Sequence, residues 1–215
     1  MRSKKRPKLS FPKKVAVFPL PNAILFPDVD LPLYIFEPRY REMLKDSLEG
    51  SKMIAVSLLE EGWEDQEEPY PCHNVISVGY VRAAISNRDG TSHIVLRGIG
   101  RARIKRYLQL NPYRIAEITQ LKDRVSNRET VPLLAKKLKE LFLKKARLAS
   151  ETPQQRVGQW RELDEPRFLA NLCAFTAQID FQEKQKLLEM TDLSKRLKIL
   201  VDLLQEELFP KSSMN

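Results

Sequence analysis

The chain has 215 residues, 42% of them hydrophobic and 30% charged, a composition that fits a globular protein and excludes a low-complexity or fibrous one. Its formal charge of +9 resembles a nucleic-acid signature, but residues 1–14 carry +7, residues 15–125 carry −1 and residues 126–215 carry +3. Most of the excess therefore belongs to a basic N-terminal tail, read as a disordered, solvated arm rather than a folded binding face.

That tail is broken by Pro7 and Pro12 and has no apolar core, so it does not read as a secretory signal. No apolar run reaches the length of a membrane span, and a membrane is not expected as a partner. Cys72 and Cys173 are far apart, which suits a reducing compartment and leaves room for one bridge at most. The expected location is the cytoplasm.

Two extended segments, 15–20 and 31–36, are predicted around a turn pinned by Pro19, Pro21 and Pro27, because prolines at this density exclude a helix interior. A helix begins at Pro38, whose fixed φ suits the first helical position; it carries Tyr40, Met43, Leu44 and Leu48 on one face and stops at Gly50. Residues 53–59 are a short apolar run that reads as a buried strand. Residues 60–71 read as an exposed acidic loop around Trp63, with the tryptophan folded back onto the sheet.

Residues 75–85 are β-branched and partly alternating, Asp89-Gly90 supplies a hairpin turn, and 92–104 return. Gly98 and Gly100 mark a bulge or tight bend. Residues 113–121 add a last strand. About six strands and one helix within 15–122 predict a compact, strongly bent sheet or small barrel.

From Asn127 the period becomes helical, with Thr130 as N-cap and Val131, Leu134, Leu138, Leu141, Phe142 and Leu148 along one face. Residues 150–162 are undecided. Asp164-Glu165-Pro166 opens a helix bearing Phe168, Leu169, Leu172, Cys173 and Phe175. Asp180-Phe181-Gln182-Glu183 forms a capping box, and Thr191 or Asp192 caps a final helix with Leu193, Leu197, Leu200, Val201, Leu204 and Leu208. Amphipathic helices of this kind pack on one another or on a partner, and an antiparallel bundle is expected.

The opening run Phe18-Pro19-Leu20-Pro21-Asn22, then Leu25-Phe26-Pro27 and Leu31-Pro32-Leu33-Tyr34-Ile35-Phe36-Glu37-Pro38-Arg39-Tyr40, resembles the Lon N-terminal domain family string FPLPN…LFP…LPL-IFEPRY. The likeness continues through VGYV, DG…HIVLRGIGRARI, PYRIAEI and the helical ending EKQKLLEMTDLSKRLKILVDLLQEEL, and so covers about residues 15–208. It implies an α+β fold, with a PUA-like β-barrel subdomain at 15–124 and an α-helical bundle at 125–210, between tails at 1–14 and 211–215. It also implies a stand-alone relative lacking the ATPase and protease domains.

Motifs for chemistry are missing. No G-x-x-x-x-G-K-[ST] phosphate loop is present, and Gly98-x-Gly100 reaches Arg103 where a dinucleotide fingerprint needs a third glycine. Cys72, His73, His93 and Cys173 lack metal-ligand spacing, and no nucleophile, base and oxyanion donor come together. No cofactor, metal or enzymatic activity is expected. Glu37, Arg39 and Arg41 read as a charged helix start.

The resemblance implies a non-catalytic module that binds unfolded or apolar polypeptide segments or a partner protein, as an adaptor or regulator in protein quality control. The expected groove is lined by Leu25, Phe26, Leu33, Tyr34, Phe36 and Tyr40, with Trp63 at its rim, and strand addition at an open edge would assist. The alternative is nucleic-acid binding through the PUA-like fold and basic tail. Arg97, Arg101 and Arg103 would then form one stripe, extended by Lys105 and Arg106.

Overall fold

The computed structural model describes residues 10–148 and 162–210, so the basic tail before residue 10 and nearly all of the undecided segment 150–162 lie outside the described residues. The fold is α+β. Its elements are β1 (Lys14–Leu20), β2 (Asp30–Ile35), α1 (Pro38–Glu49), β3 (Met53–Leu58), β4 (Val75–Ser86), β5 (Ser92–Gln109) and β6 (Arg114–Leu121), followed by α2 (Thr130–Leu148), α3 (Pro166–Thr176), α4 (Phe181–Glu189) and α5 (Leu193–Leu208).

β1 pairs parallel with β3 and antiparallel with β6; β4 joins β3 to β5, and β5 also pairs with β6. Hydrogen bonding thus runs around a circuit β5–β4–β3–β1–β6–β5, while β2 attaches to the first half of β5. Side chains alternate across each strand. Val15 and Val17, Met53 and Ala55, and Ala116 and Ile118 share one core with Ile76, Val78, Ala102 and Ile104 inside the circuit. Ala16, Phe18, Ile54 and Val56 point the other way, into a second core closed by Tyr40, Met43 and Leu44 of α1.

β5 serves both cores because it is bulged. Gly98 pairs with Gly79 and Gly100 with Val78, which leaves Ile99 as an extra residue. One extra residue reverses the alternation. Ile94 and Leu96 therefore face the α1 core, whereas Ala102 and Ile104 face the inside of the circuit. Gly98 is needed for a second reason: residues 26–29 lie across it, with Asp28 N–H donating to Gly98 O and Gly98 N–H to Val29 O, both at 2.9 Å. A Cβ there would stand 2.1 Å from the Phe26 carbonyl oxygen.

The helices pack on one another around Leu138, Leu169, Cys173, Leu197 and Leu200, and Ile24, Phe26 and Val29 join this third core from the opening loop. Leu25 belongs instead to the α1 core. The proline-pinned turn thus feeds alternate residues into two cores and fastens the sheet to the helices. Asp180 accepts from Glu183 N–H at 2.7 Å and Asp192 accepts from Ser194 N–H at 3.0 Å, satisfying N-terminal donors as caps do. The expected Thr130 cap is displaced: Thr130 is already helical, and Asn127 Oδ1 accepts from the N–H groups of Glu129 and Thr130. Leu148 is exposed rather than packed.

The sheet and helices also meet through ions. Asp123, after β6, receives Arg101 of β5 and Arg196 of α5, and Arg167 Nε of α3 lies 3.4 Å away. Arg101 and Arg196 are both buried, and both donate to the Met190 carbonyl, at 2.9 and 2.8 Å. Charges this deep are tolerated only when paired and hydrogen-bonded.

Candidate functional site

The first half of β5, with β2 and the end of β4, forms a three-stranded antiparallel region with unequal faces. Inward go Leu31, Ile35, Ile94, Leu96 and Val81, all buried against α1. Outward, cross-strand partners Tyr34, His93 and Ile85 form one row, and Pro32, Val95 and Ala83 form the next. Tyr34 is 45% exposed, Phe36 58% and Ile85 69%. The Tyr34 ring stacks on Phe36 at 5.8 Å between centroids and meets His93 at 4.7 Å. Among the described residues β2 pairs with β5 alone, so its second edge keeps its backbone donors and acceptors.

Charged groups border this face at one end. Arg82 donates to Asp30 at 2.6 Å and Arg97 lies 3.4 Å from the same carboxylate. An apolar centre bordered by charges is the make-up of a surface that binds another molecule, whereas isolated exposed apolar residues need no explanation.

The residues expected to line a groove separate into two groups. Tyr34 and Phe36 are brought together at the surface, and Leu33 is half-buried against the α1 core. Leu25, Phe26 and Tyr40 are buried at 0%, 1% and 7% exposure, so they hold the fold rather than face a ligand. Tyr40 tilts against Phe18 at 4.5 Å, and burial pushes its phenol up to about 12. Trp63 is half-buried and meets Tyr70 edge-on at 5.1 Å, in the acidic loop that Arg39 holds through a bidentate pair with Glu68. The Arg39 fork holds the Glu68 carboxyl below its usual range.

The single basic stripe is not formed. The extra Ile99 puts Arg97 on the face opposite Arg101 and Arg103. Arg101 is buried at the Asp123 junction, and Lys105 and Arg106 both reach Glu117, at 3.4 and 2.9 Å, while Arg103 is exposed. Cys72 and Cys173 are buried free thiols; burial raises both, and Arg114 donates to Cys72 Sγ at 2.7 Å. Among the described residues no three His, Cys, Asp or Glu side chains gather as metal ligands, and no helix is long and apolar enough to cross a membrane.

The sequence reading missed His93 and Ile85 on the exposed face. Val81 and Ile85 have the same parity, so simple alternation gives both to the core. Val81 pairs with Leu96 but Ala83 with Val95, and the extra Arg82 turns Ile85 outward.

The family model for the ATP-dependent protease La (LON) substrate-binding domain matches residues 14–206. The Lon protease of Dictyoglomus thermophilum is 25% identical over 197 residues, which cover 92% of this chain and 25% of that protein. Lon protease 2 of Myxococcus xanthus is 25% identical over 201 residues, covering 93% and 24%. The chain thus spans about a quarter of the length of the curated relatives it matches. Among solved structures, the N-terminal domain of a Mycobacterium avium complex Lon protease aligns with a TM-score of 0.71 at 19% identity, covering 90% of this chain and 99% of that one. A Lon N-terminal domain protein from Xanthomonas campestris gives 0.62 at 20% identity, with 88% and 97% covered. At these identities the structural likeness speaks for the fold alone.

Proposed function

The chain belongs to the LON substrate-binding domain family, and from that premise we propose that it binds polypeptides through the outward face of β2, β5 and β4. The observation that carries this reading is the stacked, exposed pair Tyr34 and Phe36, continued by His93 and Ile85, beside the open edge of β2. An extended apolar segment would lay alternate side chains on this face while its backbone pairs with β2. Leu33, beneath Tyr34, and Trp63, in the neighbouring acidic loop, take supporting roles.

In this reading the protein acts without catalysis of its own, as an adaptor or regulator in cytoplasmic protein quality control. The strand circuit serves as the PUA-like barrel of residues 15–124, and α2–α5 serve as the helical bundle of residues 125–210. Membership of a family that recognises substrates supports this, as does the family match falling on the substrate-binding domain.

The test is binding of a permanently unfolded, Leu- and Phe-rich polypeptide to the full chain, followed by fluorescence anisotropy. Tyr34→Ser with Phe36→Ser should weaken binding by about tenfold or more, since aromatic anchors dominate such interfaces. Unchanged affinity in a folded double variant would overturn the reading.

A further inference from the structure

A second feature lies away from the apolar face. A cleft of about 430 Å³ opens between the outer side of β5, the segment after β6 and α3, with Arg101, Lys122 and Arg167 facing Asp28 and Asp123 in its wall. Arg196, behind the wall, draws on the same Asp123 carboxylate as Arg101 and Arg167. The other groups that receive Arg101 are the neutral carbonyls of Leu188 and Met190. Burial and the neighbouring Arg196 pull Arg101 down to about 10, which leaves it cationic near neutral pH. Cations outnumber carboxylates here. Lys122 is exposed and, among the described residues, has no ion-pair partner; Arg167 is 53% exposed and reaches Asp123 only through the 3.4 Å contact.

Asn171 is the independent observation. It lies in α3, is 3% exposed and lines this cleft. Among the described residues its side-chain amide makes no hydrogen bond, and the amide is not among the fully buried polar atoms left without a partner, so it opens to solvent on the cleft side. A side chain buried except for an amide that meets only the solvent of a cleft is open to a molecule that enters it. An amide offers one acceptor and two donors, the complement of a peptide group, while exposed Lys122 and Arg167, the latter held only by its 3.4 Å contact with Asp123, ask for an oxyanion.

We infer that this cleft holds an acidic side chain of a bound polypeptide, its carboxylate on Arg167 and Lys122 and its adjoining peptide group on Asn171. This rests on the polypeptide-binding reading above and adds to it a preference for carboxylate-bearing segments.

The test uses the full ¹⁵N-labelled chain titrated with acetyl-Ala-Ala-Glu-Ala-Ala-amide, with its Gln counterpart and with inorganic phosphate. The side-chain amide of Asn171 is assigned by its loss in Asn171→Leu. Its resonances should move saturably with the Glu peptide and about tenfold more weakly with the Gln peptide, the loss of one charged contact. Arg167→Gln and Lys122→Gln, both at the surface, should weaken the Glu response while leaving the unfolded client bound to the Tyr34 and Phe36 face. No movement with the Glu peptide, or equal movement with both peptides, overturns the inference. Movement with phosphate alone overturns the polypeptide as source. Failure of client binding at the sheet face is read by anisotropy and failure of the cleft by Asn171, so the two are told apart.

Discussion

The two halves of β5 treat their outer faces in opposite ways. Beyond the bulge at Ile99, Arg101 is buried, shares Asp123 with Arg196 and donates to the Leu188 and Met190 carbonyls. Before the bulge, His93 lies in a row with Tyr34 and Ile85, and Val95 in the next with Pro32 and Ala83, and among the described residues no helix packs on them. In the second half a difficult group is enclosed because the junction of sheet and helices depends on it. In the first half an apolar surface is left uncovered although the opposite face already supplies the core. The fold gains nothing from leaving Phe36 and Ile85 in water, and their exposure is what the proposed polypeptide-binding reading rests on.

This contrast sets the order of the expected effects. Asp123→Asn removes the carboxylate that two buried guanidinium groups share and should destabilise the fold by about 3–5 kcal/mol, read as a lower urea midpoint. Phe26→Ala empties a site common to the opening loop and the helices and should also cost about 3–5 kcal/mol, with loss of helical and sheet signals in one transition. Gly98→Ala forces a methyl group against the Phe26 carbonyl and should destabilise by about 1–3 kcal/mol. Phe36→Ser, by contrast, should change stability by no more than about 0.5 kcal/mol, because its ring is mostly in water already. A large stability loss at Phe36, or none at Asp123, would erase the distinction between the two halves.

A pH slope is expected as well. Burial raises Tyr40 and Tyr113 to about 12, and Tyr113 donates to Asp46 at 2.6 Å, against an ordinary value of about 10 for an unfolded tyrosine. Both phenols are neutral in folded and unfolded chains below pH 10, so their contribution is fully present there. As pH rises from about 10 to about 12 the unfolded chain ionises first, and this stability is lost. Tyr113→Phe should flatten that part of the pH–stability curve.

Local pattern in the sequence located the elements well, since Pro38 and Gly50 bracket α1, Met53–Leu58 is wholly buried, and Asp180 and Asp192 cap their helices. What alternation could not reveal was the effect of single inserted residues. Ile99 separates Arg97 from Arg101 and Arg103, and Arg82 turns Ile85 outward; neither inversion is visible without the partner strand. Tyr34 and Phe36 were legible as site candidates, but Leu25 and Phe26, in the same apolar run, fill two separate cores. Asn171 gave no signal at all, because a lone asparagine in a helix acquires meaning only from the partners it lacks in space.

Amide hydrogen exchange of the full chain, with and without a permanently unfolded Leu- and Phe-rich polypeptide, tests the central claim most directly. Slowed exchange concentrated in β2 and in residues 83–95 is the predicted result, since an added strand would occupy the β2 edge and cover Tyr34, His93 and Ile85. Protection confined to α2–α5, with β2 exchanging as in the free protein, would contradict it.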